Sequence, residues 1–223
     1  MTVPTLYLIR HGETEWSASG RHTGRTDLPL TGHGREQARG LAAWLGGIRF
    51  AQVLTSPRNR AMQTCALAGL GHQARVEPDL AEWDYGDYEG GLTVDIMRQR
   101  PGWSVFRDGC PGGEMPEQVT ARADRLIARL LPLAGPIALF SHGQFSCVLA
   151  VRWIGLAVAE GRHFSFAPAA VSVLGASLHC PDTSVISSWN AVPGGLTAAP
   201  ASLPLSPAAW ASGRSVDTHS PPS

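Results

Sequence analysis

Two short apolar runs, each followed by a His-Gly pair, constrain the fold of this chain more than any other feature. Residues 137–140 lie between Gly-Pro and Ser-His-Gly, which is typical of a buried strand in a parallel sheet. Residues 5–9 form a similar run that ends at Arg10 and is followed by His11 and Gly12. Because ligands bind beyond the carboxyl ends of strands in open α/β sheets, His11 and His142 are expected to face one pocket.

The rest of the chain alternates strand-like and helix-like segments. Further strands are predicted from short apolar or extended runs at residues 52–55, near 76, at 170–174 and at 185–188. Helices are predicted after Thr31, from Pro57 toward Leu70, over residues 116–131 and through Leu149 and Trp153. Residues 80–91 are polar, aromatic and Gly-rich, which favours a loop. This alternation predicts a layered α/β domain.

Length and composition divide the chain into one domain and a tail. The 223 residues, 43% of them hydrophobic, favour a single globular, soluble domain over residues 1–190. Residues 191–223 are rich in Ala, Pro, Ser and Gly, which predicts a flexible tail. The N-terminus lacks a charged start and a long apolar stretch, and no segment is apolar enough for a membrane span. A cytoplasmic protein is therefore expected.

The charged residues exclude several kinds of chemistry. The 18 basic and 18 acidic side chains balance, so neither a nucleic acid nor a membrane is expected as a partner. Every basic residue is Arg, and the absence of lysine excludes Schiff-base enzymes and P-loop nucleotidases. The four cysteines are scattered singly, as expected of buried, reduced thiols. The histidines other than His11 and His142 fit no metal spacing, so we expect no metal.

Six motifs resemble those of one known family. Arg10-His11-Gly12-Glu13-Thr14 resembles the signature of the histidine phosphatase superfamily, also called phosphoglycerate mutase-like. The other motifs follow in the family's order: Thr23-Gly24, Leu30-Thr31 with Gly34 and Gln37-Ala38, Ser56-Pro57 with Arg60-Ala61 and Gln63-Thr64, Glu82 with Tyr85-Gly86 and Glu89-Gly90, and Ser141-His142-Gly143. The segment 81–86 and Gly109-Cys110-Pro111 are most similar to mutase-like acid phosphatases of actinobacterial type. The resemblance implies a three-layer sandwich with a mostly parallel central sheet flanked by helices.

The resemblance also implies catalytic roles. His11 would be the nucleophile and become a phosphohistidine, which suits an imidazole because its ordinary pKa of about 6.5 leaves it neutral near physiological pH. Glu82 would be the general acid, with Glu77 and Glu89 as rival carboxylates. The residues expected to surround the transferred phosphoryl group are Arg10, Arg60 and His142, with Arg58 as the rival of Arg60. Guanidinium groups suit this task because they bind phosphate oxygens in pairs and stay charged.

Several further positions match substrate contacts of the family. Besides Arg10 and Arg60, they are Ser17, Thr23, Gly24, Gly143 and Gln144. Ser17 stands where many relatives have Asn, so one pocket hydrogen bond would be shorter or absent. The aromatic residues Trp83, Tyr85, Trp103 and Phe106 either pack in the core, which we favour, or form a wall that stacks on a sugar.

Three functions are compatible with these residues. The segment between Glu82 and His142 is shorter than the insertion expected of cofactor-dependent mutases, which favours a phosphatase. We therefore expect a metal-independent phosphomonoester hydrolase that needs no cofactor and acts on a small phosphorylated metabolite, such as a sugar phosphate. The alternatives are a cofactor-dependent phosphoglycerate mutase and a non-catalytic protein that binds a phosphorylated ligand. A homodimer is left open as the assembly.

Overall fold

A six-stranded mixed sheet organises residues 3–193, the part of the chain that the computed structural model describes. Its strands are β1 (Thr5–Arg10), β2 (Gln52–Thr55), β3 (Ala74–Val76), β4 (Pro136–Ser141), β5 (Val171–Ala176) and β6 (Ser184–Ala191). The α-helices are α1 (Glu15–Ala18), α2 (Gly32–Leu45), α3 (Asn59–Leu67), α4 (Thr93–Gln99), α5 (Val105–Asp108), α6 (Pro116–Leu130) and α7 (Gly143–Trp153). Short 3₁₀ helices lie at Gly71–Gln73, Pro78–Leu80, Gly86–Tyr88 and Val158–His163.

The strand order places the two His-Gly pairs side by side. The order across the sheet is β3-β2-β4-β1-β5-β6. The first four strands of that order are parallel to one another. β5 pairs antiparallel with β1, and β6 pairs antiparallel with β5. Arg10 pairs with Ser141 at the carboxyl ends of β1 and β4, so His11 and His142 leave the sheet at the same edge. The predicted mostly parallel sheet is confirmed.

Helices cover both faces of the sheet and produce two cores. Leu6 and Leu8 of β1 point to one face, where they pack with α6 and α7 through residues such as Leu126 and Val148. Ile9 points to the other face and packs with α2 through Leu41. This alternation along β1 follows from the two-residue period of a strand buried on both faces. The molecule is the expected three-layer sandwich.

Most predicted elements agree with the structure, and the helix predicted from Pro57 needs correction. That helix begins at Asn59, because Pro57 lies in the turn after β2 and the Ser56 hydroxyl accepts the backbone N–H of Arg58 at 3.2 Å. It ends at Leu67 rather than Leu70, and Gly69 follows with a φ of +82°, a conformation that glycine adopts without strain.

The helix predicted after Thr31 is confirmed as α2. The Thr31 hydroxyl accepts the backbone N–H of Gly34 at 2.9 Å and so caps its first turn. The short helices α1, α4 and α5 had no counterpart in the predicted elements.

The predicted division of the chain at residue 190 falls close to the end of β6, whose last residue is Ala191. The predicted tail, 191–223, lies outside the described residues from position 194 onward. None of the helices within residues 3–193 combines the length and the apolar character needed to cross a bilayer.

The prediction of buried thiols is wrong for one cysteine. Cys65, Cys110 and Cys147 are buried, and burial raises the pKa of each of these thiols to about 12. Cys180 is exposed because it lies in the turn between β5 and β6, outside both cores.

Candidate active site

Three adjacent strand ends supply the centre of the candidate site. β4 lies between β2 and β1, and Ser56, His142 and His11 directly follow β2, β4 and β1. Backbone bonds continue the sheet at this edge, with the His11 N–H donating to Ser141 and the Ser56 N–H donating to Phe140. The rings of His11 and His142 are 5.2 Å apart, centre to centre, so the structure brings together the two histidines as predicted.

His11 presents one nitrogen to a cavity. Its Nδ1 lies 2.7 Å from the carbonyl oxygen of Gly12, and only a protonated Nδ1 can bond to a carbonyl. The lone pair therefore resides on Nε2. Burial, reinforced by the charges of Arg10 and Arg60, holds the pKa of His11 well below its usual value of 6.5. His11 is thus a neutral imidazole with a nucleophilic nitrogen, and its side chain lines the cavity.

His142 uses both of its nitrogens inside the protein. Arg60 Nε donates to His142 Nδ1 at 3.2 Å, and the Ser56 hydroxyl lies 2.7 Å from His142 Nε2. Because the guanidinium can only donate, Nδ1 accepts, and Nε2 carries the proton that bonds to Ser56. Burial and the neighbouring Arg60 hold the pKa of His142 well below its usual value. His142 is fully buried, packed against His11 rather than lining the cavity.

The two predicted phosphate arginines differ in what they bind. Arg10 lines the cavity, bonds to the backbone oxygen of Phe166 through Nη1, and has a buried Nε without a partner among the described residues. Arg60 is fully buried and donates to the carbonyl oxygens of Thr23, Gly24 and Thr26 at 2.8 to 3.1 Å. Arg10 is therefore placed to meet a ligand, whereas Arg60 supports His142 and the segment 23–26.

Glu82 lies in the loop after the 3₁₀ helix Pro78–Leu80, and its carboxylate lies beside the first turn of α7. Its carboxylate accepts the backbone N–H groups of Trp83, Gln144 and Phe145 at 2.8 to 3.1 Å. Two of these donors belong to the first turn of α7, where unpaired N–H groups favour a negative charge. The side chain is 8% exposed and lines the cavity. Glu82 is thus a fixed acid or base opposite an open space.

The rival carboxylates are engaged elsewhere. Glu77 pairs with Arg129 at 2.9 Å, and Glu89 accepts the backbone N–H groups of Gly24 and Thr26. Arg58, like Arg60, does not line the cavity.

The cavity has a volume of about 360 Å³ and is lined by both polar and aromatic side chains. The polar lining residues include Ser17, Arg21, His22, Thr23, Thr93 and Gln144. The aromatic lining residues are Tyr85, Phe106, Phe164 and Phe166. A pocket with apolar walls and a few placed polar groups suits a small organic ligand.

The cavity contains most of the predicted substrate contacts. Ser17, Thr23, Gly143 and Gln144 line it, whereas Gly24 does not. The Gly24 N–H is held by Glu89, and a Cβ on Gly24 would lie 2.5 Å from the backbone oxygen of Trp83. Glycine is therefore needed at position 24 for packing.

The glycines after the two histidines are also explained by packing. A Cβ on Gly12 would lie 2.4 Å from the backbone oxygen of Gly34, and one on Gly143 would lie 3.3 Å from the Arg10 guanidinium carbon. Gly12 is therefore needed for the close contact with α2.

The four aromatic residues noted in the sequence are all buried in the core, as favoured. Tyr85 and Phe106 also line the cavity. Phe164 and Phe166 were missed because they lie far along the chain, before β5. His22 was missed as a lining residue; it stacks on Tyr85 at 4.5 Å, and burial lowers its pKa to about 4.

Ser56 was noted as part of a motif, and the structure adds its contact with His142. Its position directly after a predicted strand was the one signal of that contact. Within residues 3–193, no group of three or more His, Cys, Asp or Glu side chains is arranged to hold a metal ion.

Known proteins match this chain over most of its described length. The sequence profile of the histidine phosphatase superfamily (branch 1) matches residues 6–191. The chain belongs to the histidine phosphatase superfamily.

Individual members of the superfamily are clearly similar to it. An acid phosphatase of Mycobacterium tuberculosis is 44% identical over 174 residues, which cover 76% of this chain and 85% of the relative. A sedoheptulose 1,7-bisphosphatase of Saccharomyces cerevisiae is 38% identical over 188 residues, covering 70% and 69% of the two chains. A solved structure of a Mycobacterium tuberculosis open reading frame superposes with a TM-score of 0.78 at 38% identity, covering 85% and 98%. The predicted superfamily, with named phosphatases among its members, is confirmed.

Proposed function

We propose that the protein is a phosphomonoester hydrolase that transfers the phosphoryl group of a small phosphorylated metabolite to His11 and then to water. The observation that carries this proposal is the pairing of a neutral His11, with Nε2 unprotonated, and a fixed Glu82 carboxyl group on one cavity. The named phosphatases among the relatives support it.

In the first step, the Nε2 lone pair of His11 attacks phosphorus and the bond from phosphorus to the ester oxygen breaks. Glu82 acts as the general acid and gives a proton to the departing oxygen. Arg10 lies on the cavity, and its Nε has no partner within residues 3–193, which suits binding of the phosphoryl oxygens. The family resemblance implies that Arg60 and His142 also contact this group, whereas in the structure both are buried and neither lines the cavity.

In the second step, a water molecule attacks the phosphohistidine and the P–N bond breaks. Glu82, now a carboxylate, takes the proton of that water. The bond from His11 Nδ1–H to the Gly12 oxygen persists throughout, so His11 leaves as a neutral imidazole. No step requires a metal ion or an organic cofactor.

The cavity favours a sugar phosphate or a similar metabolite as substrate. A sugar ring has polar edges and an apolar face, and the cavity offers polar and aromatic side chains that suit the two. Its volume of about 360 Å³ suits a small molecule rather than a protein surface.

The test is to trap the phosphoenzyme with a labelled phosphomonoester. We expect label that is labile in acid and stable in alkali, and its complete loss in His11→Ala. His72→Ala, an exposed histidine beside β3, is the control and should label like the wild type. Label that persists in His11→Ala would contradict the mechanism.

A parallel assay with 3-phosphoglycerate and added bisphosphoglycerate separates the alternative functions. Phosphate release that exceeds isomerisation supports the phosphatase. Isomerisation that exceeds phosphate release would identify a mutase, and binding without either reaction would identify a phospho-ligand binding protein.

A further inference from the structure

Arg122, on the inner face of α6, is a buried cation outside the cavity. It is 9% exposed, and all five of its N–H donors have partners. Nη1 donates to the carbonyl oxygens of Asp79 and Ala81 at 2.8 and 2.6 Å, and Nη2 donates to that of Glu82 at 3.4 Å. The remaining donors, Nε and the second N–H of Nη2, bind the two carboxylate oxygens of Glu114 at 3.0 and 2.8 Å.

These bonds fix the segment that carries Glu82. Glu114, which is bound by Arg122, in turn holds the chain after Glu82, because its carboxylate accepts the backbone N–H of Asp84 at 2.9 Å. Its backbone oxygen also accepts the indole N–H of Trp83 at 2.9 Å. Arg122 and Glu114 therefore hold the chain immediately before and after Glu82.

Arg122 also touches the residue that holds the Glu82 carboxylate from the other side. The guanidinium carbon lies 4.2 Å from the ring centre of Phe145, a cation–π contact. The backbone N–H of Phe145 donates to Glu82 Oε1 at 2.8 Å. One side chain thus contacts both the backbone of Glu82 and the first turn of α7 that receives its carboxylate.

The neighbouring arginines of α6 do not share this arrangement. Arg125 and Arg129 bind the carboxylate of Asp79 and have half-exposed side chains. Neither donates to a backbone carbonyl of residues 79–82. Arg125 is therefore a matched control on the same helix.

We propose that Arg122 is a positioning residue that aims the Glu82 carboxyl group at the leaving oxygen of the substrate. The proposal rests on the proposed hydrolase function and adds a residue that touches no substrate. A planar guanidinium fork reaches three carbonyls and a carboxylate together, whereas a lysine ammonium offers three donors on a flexible stem. Arg122→Lys therefore keeps the charge and loses the geometry.

The test compares two substrates with different leaving groups. p-Nitrophenol leaves readily without a proton, whereas the alcohol of β-glycerol phosphate needs one from Glu82. In Arg122→Lys we expect kcat/KM for β-glycerol phosphate to fall about 10- to 100-fold, a partial loss of the roughly 10²- to 10⁴-fold that general acid catalysis contributes. For p-nitrophenyl phosphate we expect a fall below about 3-fold, because the acid contributes little there. Arg125→Lys should match the wild type on both substrates.

A double-mutant cycle distinguishes positioning from general support of the fold. In a Glu82→Gln background, Arg122→Lys should cause no further loss on β-glycerol phosphate, because the group that it aims is already inactive. A further loss of the same factor, or equal losses on both substrates in the single variant, would overturn the proposal. A wild type that hydrolyses neither substrate would instead overturn the proposed function.

A second variant covers the case in which Arg122→Lys does not fold. Glu114→Gln removes the carboxylate partner while leaving the three carbonyl acceptors of Arg122 in place. We expect the same preference, with a smaller loss on β-glycerol phosphate and none on p-nitrophenyl phosphate. Equal activity of Glu114→Gln and the wild type on β-glycerol phosphate would count against the proposal.

Discussion

His11 and His142 end neighbouring parallel strands, precede a glycine each, and lie 5.2 Å apart, yet their surroundings differ. His11 bonds to the Gly12 carbonyl through one nitrogen, and its other nitrogen is free to react at the cavity. His142 bonds through both nitrogens, to Arg60 and Ser56, and is sealed from solvent. The same local sequence thus produces a group that is free to react and a group that is fixed, and the difference comes from the residues packed against each ring.

The largest expected effect is the loss of the free nitrogen. His11→Asn keeps a polar side chain of similar reach and removes the nucleophile. Turnover should fall by about 10⁴-fold or more, as for other covalent nucleophiles. Initial rates of phosphate release, with circular dichroism to show an intact fold, check this. A loss below 10-fold would mean that His11 is not the nucleophile.

The matching change at His142 should have a smaller effect of a different kind. His142→Asn removes a fixed group near the transferred phosphoryl, which typically costs about 10²- to 10³-fold in kcat. The protein should still form acid-labile phosphoenzyme on His11, only more slowly, in rapid-quench measurements. If His142→Asn abolishes the label while His11→Asn keeps it, the two roles are reversed.

The buried imidazoles share a neutral state, which can be tested by measuring the stability of the protein in acid. His22 is the residue for which the effect can be measured. Its pKa is about 4 in the folded protein and 6.5 in the unfolded chain, so below pH 6.5 the unfolded state binds a proton that the folded state does not. The free energy of unfolding should therefore be highest above pH 6.5. Protonation of His22 in the unfolded chain should lower it by about 3 kcal/mol as the pH approaches 4.

Urea unfolding of the wild type and His22→Phe between pH 7 and pH 4 measures this contribution. The Phe variant keeps the stacking position on Tyr85 and should lose less stability in acid. His72→Phe, at an exposed position, should follow the wild type. Parallel curves for wild type and His22→Phe would show that His22 is not the group involved.

The smallest expected effect comes from the hydroxyl that fixes His142. Ser56→Ala removes the acceptor of His142 Nε2–H, and a buried hydrogen bond is worth about 1 kcal/mol, or about 5-fold in kcat. Ser146→Ala is the matched control, since that buried hydroxyl has no partner among the described residues. Steady-state kinetics should separate the two serines. Equal kcat values would show that Ser56 does not orient His142.

The sequence was sufficient for the layered sheet and for the positions of both histidines, because strand ends are local features. It was insufficient for Arg60 and Arg122. Both are helix arginines in the sequence, and only the packing of α3 and α6 decides that their guanidinium groups turn inward to carbonyl oxygens. Phe164 and Phe166 escaped prediction for the same reason, since the pairing of β5 with β1 brings the connection before β5 to the cavity.

The reversed direction of β5 has a consequence for how this scaffold could diversify. Because β5 runs against β1, the connection that precedes it, rather than the one that follows, meets the end of β1: Ala169 donates to the His11 carbonyl and Arg10 donates to that of Ala170. Phe166 binds Arg10 through its backbone oxygen, and its buried ring packs on Trp189. Phe164 and Ser165 line the cavity without being buried in the core, so their side chains can be exchanged to change which molecule fits while the reacting groups keep their places. These two positions are the natural ones for library design.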